Sequence, residues 1–494
     1  MTNNKIILLF ACTTFYLLSC TSSRKISVIN KKISAVELRE DYAMFRGVLE
    51  ELHPSLYWFS TKDSMDEYFK RGYEQITDSM TEQQFRNLLN YTTSKIRCGH
   101  TGVYPSKKFS RFYSQSRITT FPFAVKCWPD TAVVYSSLIP KDSRIKQGTQ
   151  LLSIDGRSIP QLLDTFLLHI NGDGYAATGR YQFLSNRGTF GAMYRNIFGL
   201  KDSLSLGYID STGIARQEMF PMFKPRADTT RVRDSLTRER KQRIARLPVK
   251  ELQLDTGLRT GYISLNSFER NHGLTRFFRQ SFKKLAQNNI QHLVIDLRSN
   301  GGGDAGLSTL LTRYVTDHRF RVADSLYAKK RSSRYRDHIQ WQPIYWLFTL
   351  FVTRKREDGN FHFGVFERHY FGPRKKHHFE GQVYLLTGGN SFSATTIFVQ
   401  ELKGQKNVKI IGEETGGGAY GNTAWMIPMV TLPHSKLRVR IPKFRMVMEP
   451  SLAKEGRGVM PDIPVAPTFM DIRNGIDVKM EKARQLILLH ELIN

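Results

Sequence analysis

The sequence predicts an α/β chain, and three observations carry the prediction. Apolar strands and amphipathic helices alternate between residues 261 and 411. His292–Leu297 is an almost continuous apolar run, as strands buried on both faces have. Glycine- or serine-rich turns follow three of the apolar strands. The strands read as Gly261–Leu265, His292–Leu297, Val383–Leu386 and Val408–Ile411. Leu274, Phe277, Phe278, Phe282 and Leu285 mark one helix, and Leu307–Val315 and Ala394–Leu402 two more.

Ahead of this core the pattern differs. Ser34-x-x-Glu37 is a capping-box signature, and Leu38, Tyr42, Phe45, Leu49 and Leu52 follow at helical spacing until Pro54. Met65, Phe69, Tyr73 and Ile76 mark a second helix. Thr81-x-x-Gln84 caps a third, which carries Phe85, Leu88 and Ile96. Residues 34–115 are therefore expected to form a helical unit, with Cys98-Gly99-His100-Thr101 on a turn. From about 116 the periodicity changes to strands, at Phe121–Val125, Ala132–Tyr135 and Gln150–Ile154, with a helix over Ile159–Ile170. The string from Ile145 to Gly156 resembles the middle of a PDZ domain, so 116–223 reads as a PDZ-like module. Residues 224–255 read as a charged linker, 256–470 as the core, and 471–494 as a C-terminal helix. Within the core, 327–380 is an insertion or lid, basic at both ends and aromatic from Trp341 to Phe351.

Size and charge narrow the function classes. The chain has 494 residues, 40% hydrophobic and 12% aromatic, enough for several packed domains. Its formal charge is +29, but Lys and Arg are spread along the chain and no nucleic-acid motif occurs, so a basic surface near anionic lipid is expected rather than a nucleic-acid partner. Lys5 and the apolar run Ile6–Leu18 describe a secretory signal, too short to span a bilayer comfortably. Leu17-Leu18-Ser19-Cys20 resembles a bacterial lipobox. This makes 1–19 a signal peptide, Cys20 the lipid attachment site, 20–33 a tether, and the bacterial cell envelope, periplasm-facing, the expected location. Cys12 would leave with the signal. Cys98 and Cys127 either pair or stay buried.

Three turns carry the candidate chemistry. Asp296-Leu-Arg-Ser-Asn300-Gly301-Gly302-Gly303-Asp304 can present backbone N–H groups to an oxyanion or a phosphate. Gly388-Gly-Asn-Ser391-Phe-Ser393-Ala394 places serines at a strand-to-helix turn, where either can be a nucleophile or only an N-cap. Gly412-Glu-Glu-Thr-Gly416-Gly417-Gly418-Ala-Tyr-Gly421 matches a dinucleotide fingerprint by letter. A strand, not a helix, is expected after it, so that reading fails. No residue set has zinc-ligand spacing.

In this order, and with Gly458-Val-x-Pro461-Asp462 and the strand Gly261-Tyr-Ile-x-Leu with Phe268, these turns resemble the tail-specific (C-terminal-processing) serine peptidase family. The resemblance implies a mixed-sheet, crotonase-like core behind the helical unit and PDZ-like module. It implies that the second serine, Ser393, attacks, with Gly302 and Ala394 as backbone oxyanion donors. Many members use a lysine where this chain has Gly418. The chain instead resembles the branch of the tricorn core and the retinoid-binding repeats, which implies His100 as base and Glu455, with Glu449 as rival, as its acidic support. A His base predicts activity lost as pH falls through about 6.5. The implied activity is hydrolysis of unstructured or C-terminally exposed polypeptides through an acyl-enzyme, without metal or cofactor. A non-catalytic binding protein for an apolar ligand or peptide on the same fold is the alternative.

Overall fold

A computed structural model describes residues 30–116, 118–139, 142, 144–224, 248–452 and 455–493. The expected signal peptide, Cys20, most of the tether and residues 225–247 of the charged linker lie outside the described residues.

The helical unit comprises β1 (Lys32–Ile33), α1 (Ala35–Leu52), α2 (Lys62–Glu74), β2 (Met80–Thr81), α3 (Glu82–Ser94), β3 (Gly102–Tyr104) and α4 (Lys107–Gln115). Both expected capping boxes form, at Ser34 with Glu37 and at Thr81 with Gln84. The periodic apolar residues Leu38, Tyr42, Phe45, Leu49, Phe69 and Phe85 meet in one core.

The next unit is an antiparallel sheet with helices against it. Its elements are β4 (Phe123–Cys127), β5 (Ala132–Ser137), β6 (Gln150–Ile154), β7 (Arg157–Ser158), α5 (Ile159–Leu167), α6 (Ala177–Ser185), α7 (Thr189–Phe198), β8 (Ser203–Ile209) and β9 (Ala215–Pro221). Strand order is β4-β5-β6-β8-β9, with β7 on β6. Cys98 and Cys127 are free and buried, in the separate cores of these two units.

The remaining chain forms β10 (Lys250–Asp255), β11 (Thr260–Leu265), α8 (Leu274–Gln287), β12 (His292–Asp296), α9 (Ala305–Val315), β13 (Ser325–Ala328), α10 (Gln342–Val352), β14 (Thr353–Lys355), β15 (Phe361–Phe363), α11 (Gly364–Arg368), β16 (Gln382–Thr387), α12 (Ala394–Leu402), β17 (Val408–Gly412), β18 (Gly421–Ala424), β19 (Met429–Thr431), β20 (Arg438–Arg440), β21 (Phe444–Val447), β22 (Ile463–Pro464), α13 (Phe469–Asn474) and α14 (Val478–Ile493). The central sheet runs β10-β11-β12-β16-β17-β22. It is parallel except for β10, which pairs antiparallel with β11. It is a mixed sheet, as expected. Helices α8, α9 and α12 cover one face, and α14 packs on the other through Ala483 and Ile487. Burial on both faces explains the continuous apolar run of β12.

Three boundaries differ from the sequence reading. Residues 250–255 are not linker but the edge strand of the core. The segment 327–380, read as an insertion or lid, carries strands of its own. Its β14 and β15, with β13 at its start, join β18 and β21 in a second sheet of order β14-β15-β13-β21-β18. The strand expected over 422–430 is broken at Trp425 and Met426, both with positive φ, into β18 and β19. The two parts enter different sheets, and β19-β20-β3 ties the core to the His100 turn.

Candidate active site

Ser393 stands between β16 and α12, at the N-cap position of the helix. Its backbone has φ 57 and ψ −121, a region L-residues rarely occupy. It makes no side-chain capping bond. Its Oγ instead meets His100 Nε2 at 3.1 Å, across 293 residues of sequence. Ser391 does the opposite. It is fully buried, donates Oγ to Leu297 O at 2.9 Å and accepts the Gly388 N–H at 3.2 Å. Of the two serines, then, Ser391 is structural and Ser393 has its hydroxyl directed at the imidazole.

The His100 turn is braced from three sides. Gly99 N–H donates to Asp173 Oδ1 at 2.7 Å, Asn171 Nδ2 to Thr101 O at 2.6 Å, and Gly174 N–H to Arg97 O at 2.9 Å. All three contacts come from the loop after α5. Buried His53 meets Thr101 Oγ1 through Nε2 at 2.8 Å, and Arg440 of β20 donates to His100 O at 2.8 Å. The Phe392 ring stacks on the imidazole, centroids 4.6 Å apart. A Cβ on Gly99 would lie 2.8 Å from that ring, so only glycine permits the stacking.

The site is dry. Burial, and then the positive charge of Arg440, push the His100 imidazole down to about 3, so it is neutral at physiological pH. An acid limb near 6.5 from the imidazole itself is not what this environment gives. Burial pushes the Asp173 carboxyl up to about 7, opposed by the Gly99 and Gly418 N–H groups. His100 Nδ1 and Asp173 Oδ2 are both buried without a hydrogen-bond partner. One ligand atom each of Cys98, His100 and Asp173 lies within 4.8 Å of the other two. Such a sulfur, nitrogen and oxygen set can hold a metal, and it shares its imidazole with Ser393. His292, His490 and Glu491 form a second such group, at α14.

Around Ser393 the glycine turns close in. Gly302 has φ 97, and a Cβ on it would sit 2.7 Å from Ser393 Cβ and 2.9 Å from Ala394 N. Gly302 therefore lies where the resemblance places it. Its N–H, however, is donated to Asn300 Oδ1 at 3.0 Å, so it is not a free oxyanion donor. Ala394 opens α12, where the first N–H groups lack intrahelical partners. Glu455 is exposed on a turn and is not brought to the imidazole by any hydrogen bond, Nδ1 having none. Glu449 accepts from Ser451 instead. Asp173, which the sequence reading missed, is the carboxylate beside His100. The one signal for it was Asn171-Gly-Asp-Gly174, an acid between two glycines, in a loop distant in sequence from every motif.

Residues 259–465 match the family model described as Peptidase family S41. No curated protein matches the chain in sequence. Among solved structures the fold is similar to mature CPAF complexed with lactacystin, at 14% identity over 93% of this chain and 99% of that one, with a TM-score of 0.63. A second mature CPAF structure gives 13% identity over 92% and 96%, with a TM-score of 0.61. The tricorn protease gives 17% identity over 93% of this chain and 37% of that one, with a TM-score of 0.40.

Replacing Ser391 by Ala should lower unfolding free energy by about 1–3 kcal/mol, because two buried backbone groups lose their partner. Urea titration measures this. The distance from Ser393 to His100 should be unchanged in a structure of the variant.

Proposed function

We propose that this chain, a serine peptidase whose residues 259–465 match the Peptidase family S41 model, cleaves polypeptides through an acyl-enzyme on Ser393. The observation that carries this reading is the 3.1 Å contact between Ser393 Oγ and a neutral, buried His100. A neutral imidazole can accept a proton. The backbone geometry at Ser393 is that of a nucleophile held out of its own helix cap.

The steps follow from these groups. His100 Nε2 takes the hydroxyl proton as Ser393 Oγ bonds to the substrate carbonyl carbon. The oxyanion forms at the N-terminus of α12 and is held by the Ala394 N–H. Nε2–H then protonates the leaving nitrogen and the C–N bond breaks. Water, deprotonated by the same imidazole, hydrolyses the ester and regenerates Ser393. Asp173 acts as a positioning residue: its Oδ2 accepts Nδ1–H as the imidazolium forms, the part that Glu455 was expected to play.

Substrate capture is proposed at a cleft of about 590 Å³ between the β4–β9 unit and the core. Val125 and Lys126 of edge strand β4 line it, with Gln182 of α6, which accepts from Lys126 Nζ at 2.8 Å, and Ser299 and Asn390 of the core. An edge strand beside a helix suits strand addition by an extended C-terminal segment. Equal cleavage of peptides with free and amidated C-termini would remove the selectivity for ends. The same proposal puts the enzyme in the bacterial envelope, acylated at Cys20, acting on exported proteins.

Ser393→Ala should lower kcat by about 10⁴-fold or more while thermal unfolding stays cooperative. Fluorophosphonate labelling of the parent and not of the variant checks the nucleophile. Labelling of both would refute it.

Asp173→Asn should lower kcat by about 10²–10⁴-fold with KM little changed. The parent should lose activity as pH falls through about 7, where Asp173 takes up a proton. The variant should lack that limb, a change that a purely structural role would not produce. Stability tests the same group with a definite sign. An Asp pushed above its unfolded value costs the fold stability as pH rises from about 4 to about 7. The variant should therefore gain stability relative to the parent more at pH 8 than at pH 4.

A further inference from the structure

Helix α10 is covered over very little of its surface. Trp341 just before it, and Ile344, Trp346, Leu347, Phe348 and Phe351 on it, are exposed, Phe351 to 71%. Thr349 is buried, with its Oγ1 donated back to Tyr345 O. Eleven residues give a helix of roughly 16 Å, about half the thickness of a hydrocarbon core. It is too short to cross a bilayer, and no described helix is long and apolar enough to do so. Two tryptophans on so short an apolar element suit the level of lipid headgroups.

The ends of the helix are basic. Arg334 and Arg336 precede it, Arg354 and Lys355 follow it, and all four are exposed. Asp337, Glu357 and Asp358 dilute this charge without reversing it. A second basic patch adjoins the root of the helix. Ile339 bridges Val430, and Gln340 N–H donates to Met429 O, both on β19. The next residue of that strand, Thr431, lines a pocket of about 460 Å³ with Lys31, Lys107, Lys108, Lys436 and Arg438. Lys31 lies at the start of the described chain.

From this juxtaposition we infer that α10 and its basic surroundings form a second membrane contact, in which the helix lies in the interface of an anionic bilayer. Apolar side chains enter the headgroup boundary while lysines and arginines meet lipid phosphates. Charge selects this occupant over a second copy of the chain. Two copies meeting through α10 would bring like-charged rims together, in a chain of formal charge +29. The contact is independent of acylation at Cys20 and of the chemistry at Ser393.

The chain from Ser22 onward keeps every described residue and carries no lipid. It should float with phosphatidylcholine vesicles that contain phosphatidylglycerol, and about tenfold less with phosphatidylcholine alone or in high salt. The triple variant Trp346→Ser, Phe348→Ser, Phe351→Ser should lose at least about tenfold in partitioning. It should keep fluorophosphonate labelling of Ser393, which reports its fold. Arg354→Glu with Lys355→Glu should weaken only the binding that depends on phosphatidylglycerol. Unchanged flotation of the triple variant would overturn the proposal. So would a parent that does not float and is a dimer by sedimentation velocity while the triple variant is a monomer.

Discussion

The hydrogen bond from His100 to Ser393 is the constraint to which the rest of the molecule answers. Its two ends come from units with separate hydrophobic cores, and neither unit can form it alone. The nucleophile end carries strain of about 1–3 kcal/mol at its φ of 57. Surrounding backbone bonds offset that strain. Phe392 N–H donates to Asn300 O at 3.2 Å, and Gly416 N–H to Ser391 O at 3.0 Å. The three motif turns are thus one hydrogen-bonded assembly in space. That explains why they occur together in the sequence although residues 305 to 387 separate the first two.

Bringing the base to this assembly needs a third unit. β20 carries Arg440 to the His100 carbonyl and pairs with β3 just beyond it. The loop after α5 holds the other side of the turn through Asn171, Asp173 and Gly174. The β4–β9 unit therefore also braces the His100 turn. The loop that follows its helix fixes the imidazole, so displacement of that unit on peptide binding would move the base relative to Ser393.

Local chemistry explains what the sequence made legible. Capping boxes at Ser34 and Thr81, the apolar run of β12 and the helix Ala394–Leu402 depend on neighbours within a few residues, and they stand where the pattern put them. Ser393 and His100, which the structure brings to 3.1 Å, could be singled out because each sits in a short motif. What was not legible depends on long-range contact. The second sheet pairs β13 with β21, whose partners lie more than 100 residues apart and carry no mutual signal. Asp173 has no motif of its own. The Gly302 N–H shows why a motif match falls short of a role: Gly302 stands beside Ser393, yet the side chain of its neighbour Asn300 takes the hydrogen bond.

The electrostatics of the interior decide how Asp173 can serve. An ionised carboxylate in a dry site is costly unless a cation compensates it. The cation here is Arg445, buried at 1% exposure, which lies over the Trp58 ring at 3.3 Å and donates to Ser55 Oγ at 2.7 Å. Its charge favours ionised Asp173 without a hydrogen bond between the two. A bidentate pair would hold the carboxylate far below neutrality and occupy both oxygens. Burial raises the group to about 7 against the Gly99 and Gly418 N–H groups and then Arg445, and Oδ2 is left unpartnered. In the proposed mechanism the orphaned atoms of Asp173 and His100 would be complementary halves of one interaction, completed when the imidazolium forms in the transition state. That is the condition under which a residue lowers a barrier rather than tightening binding.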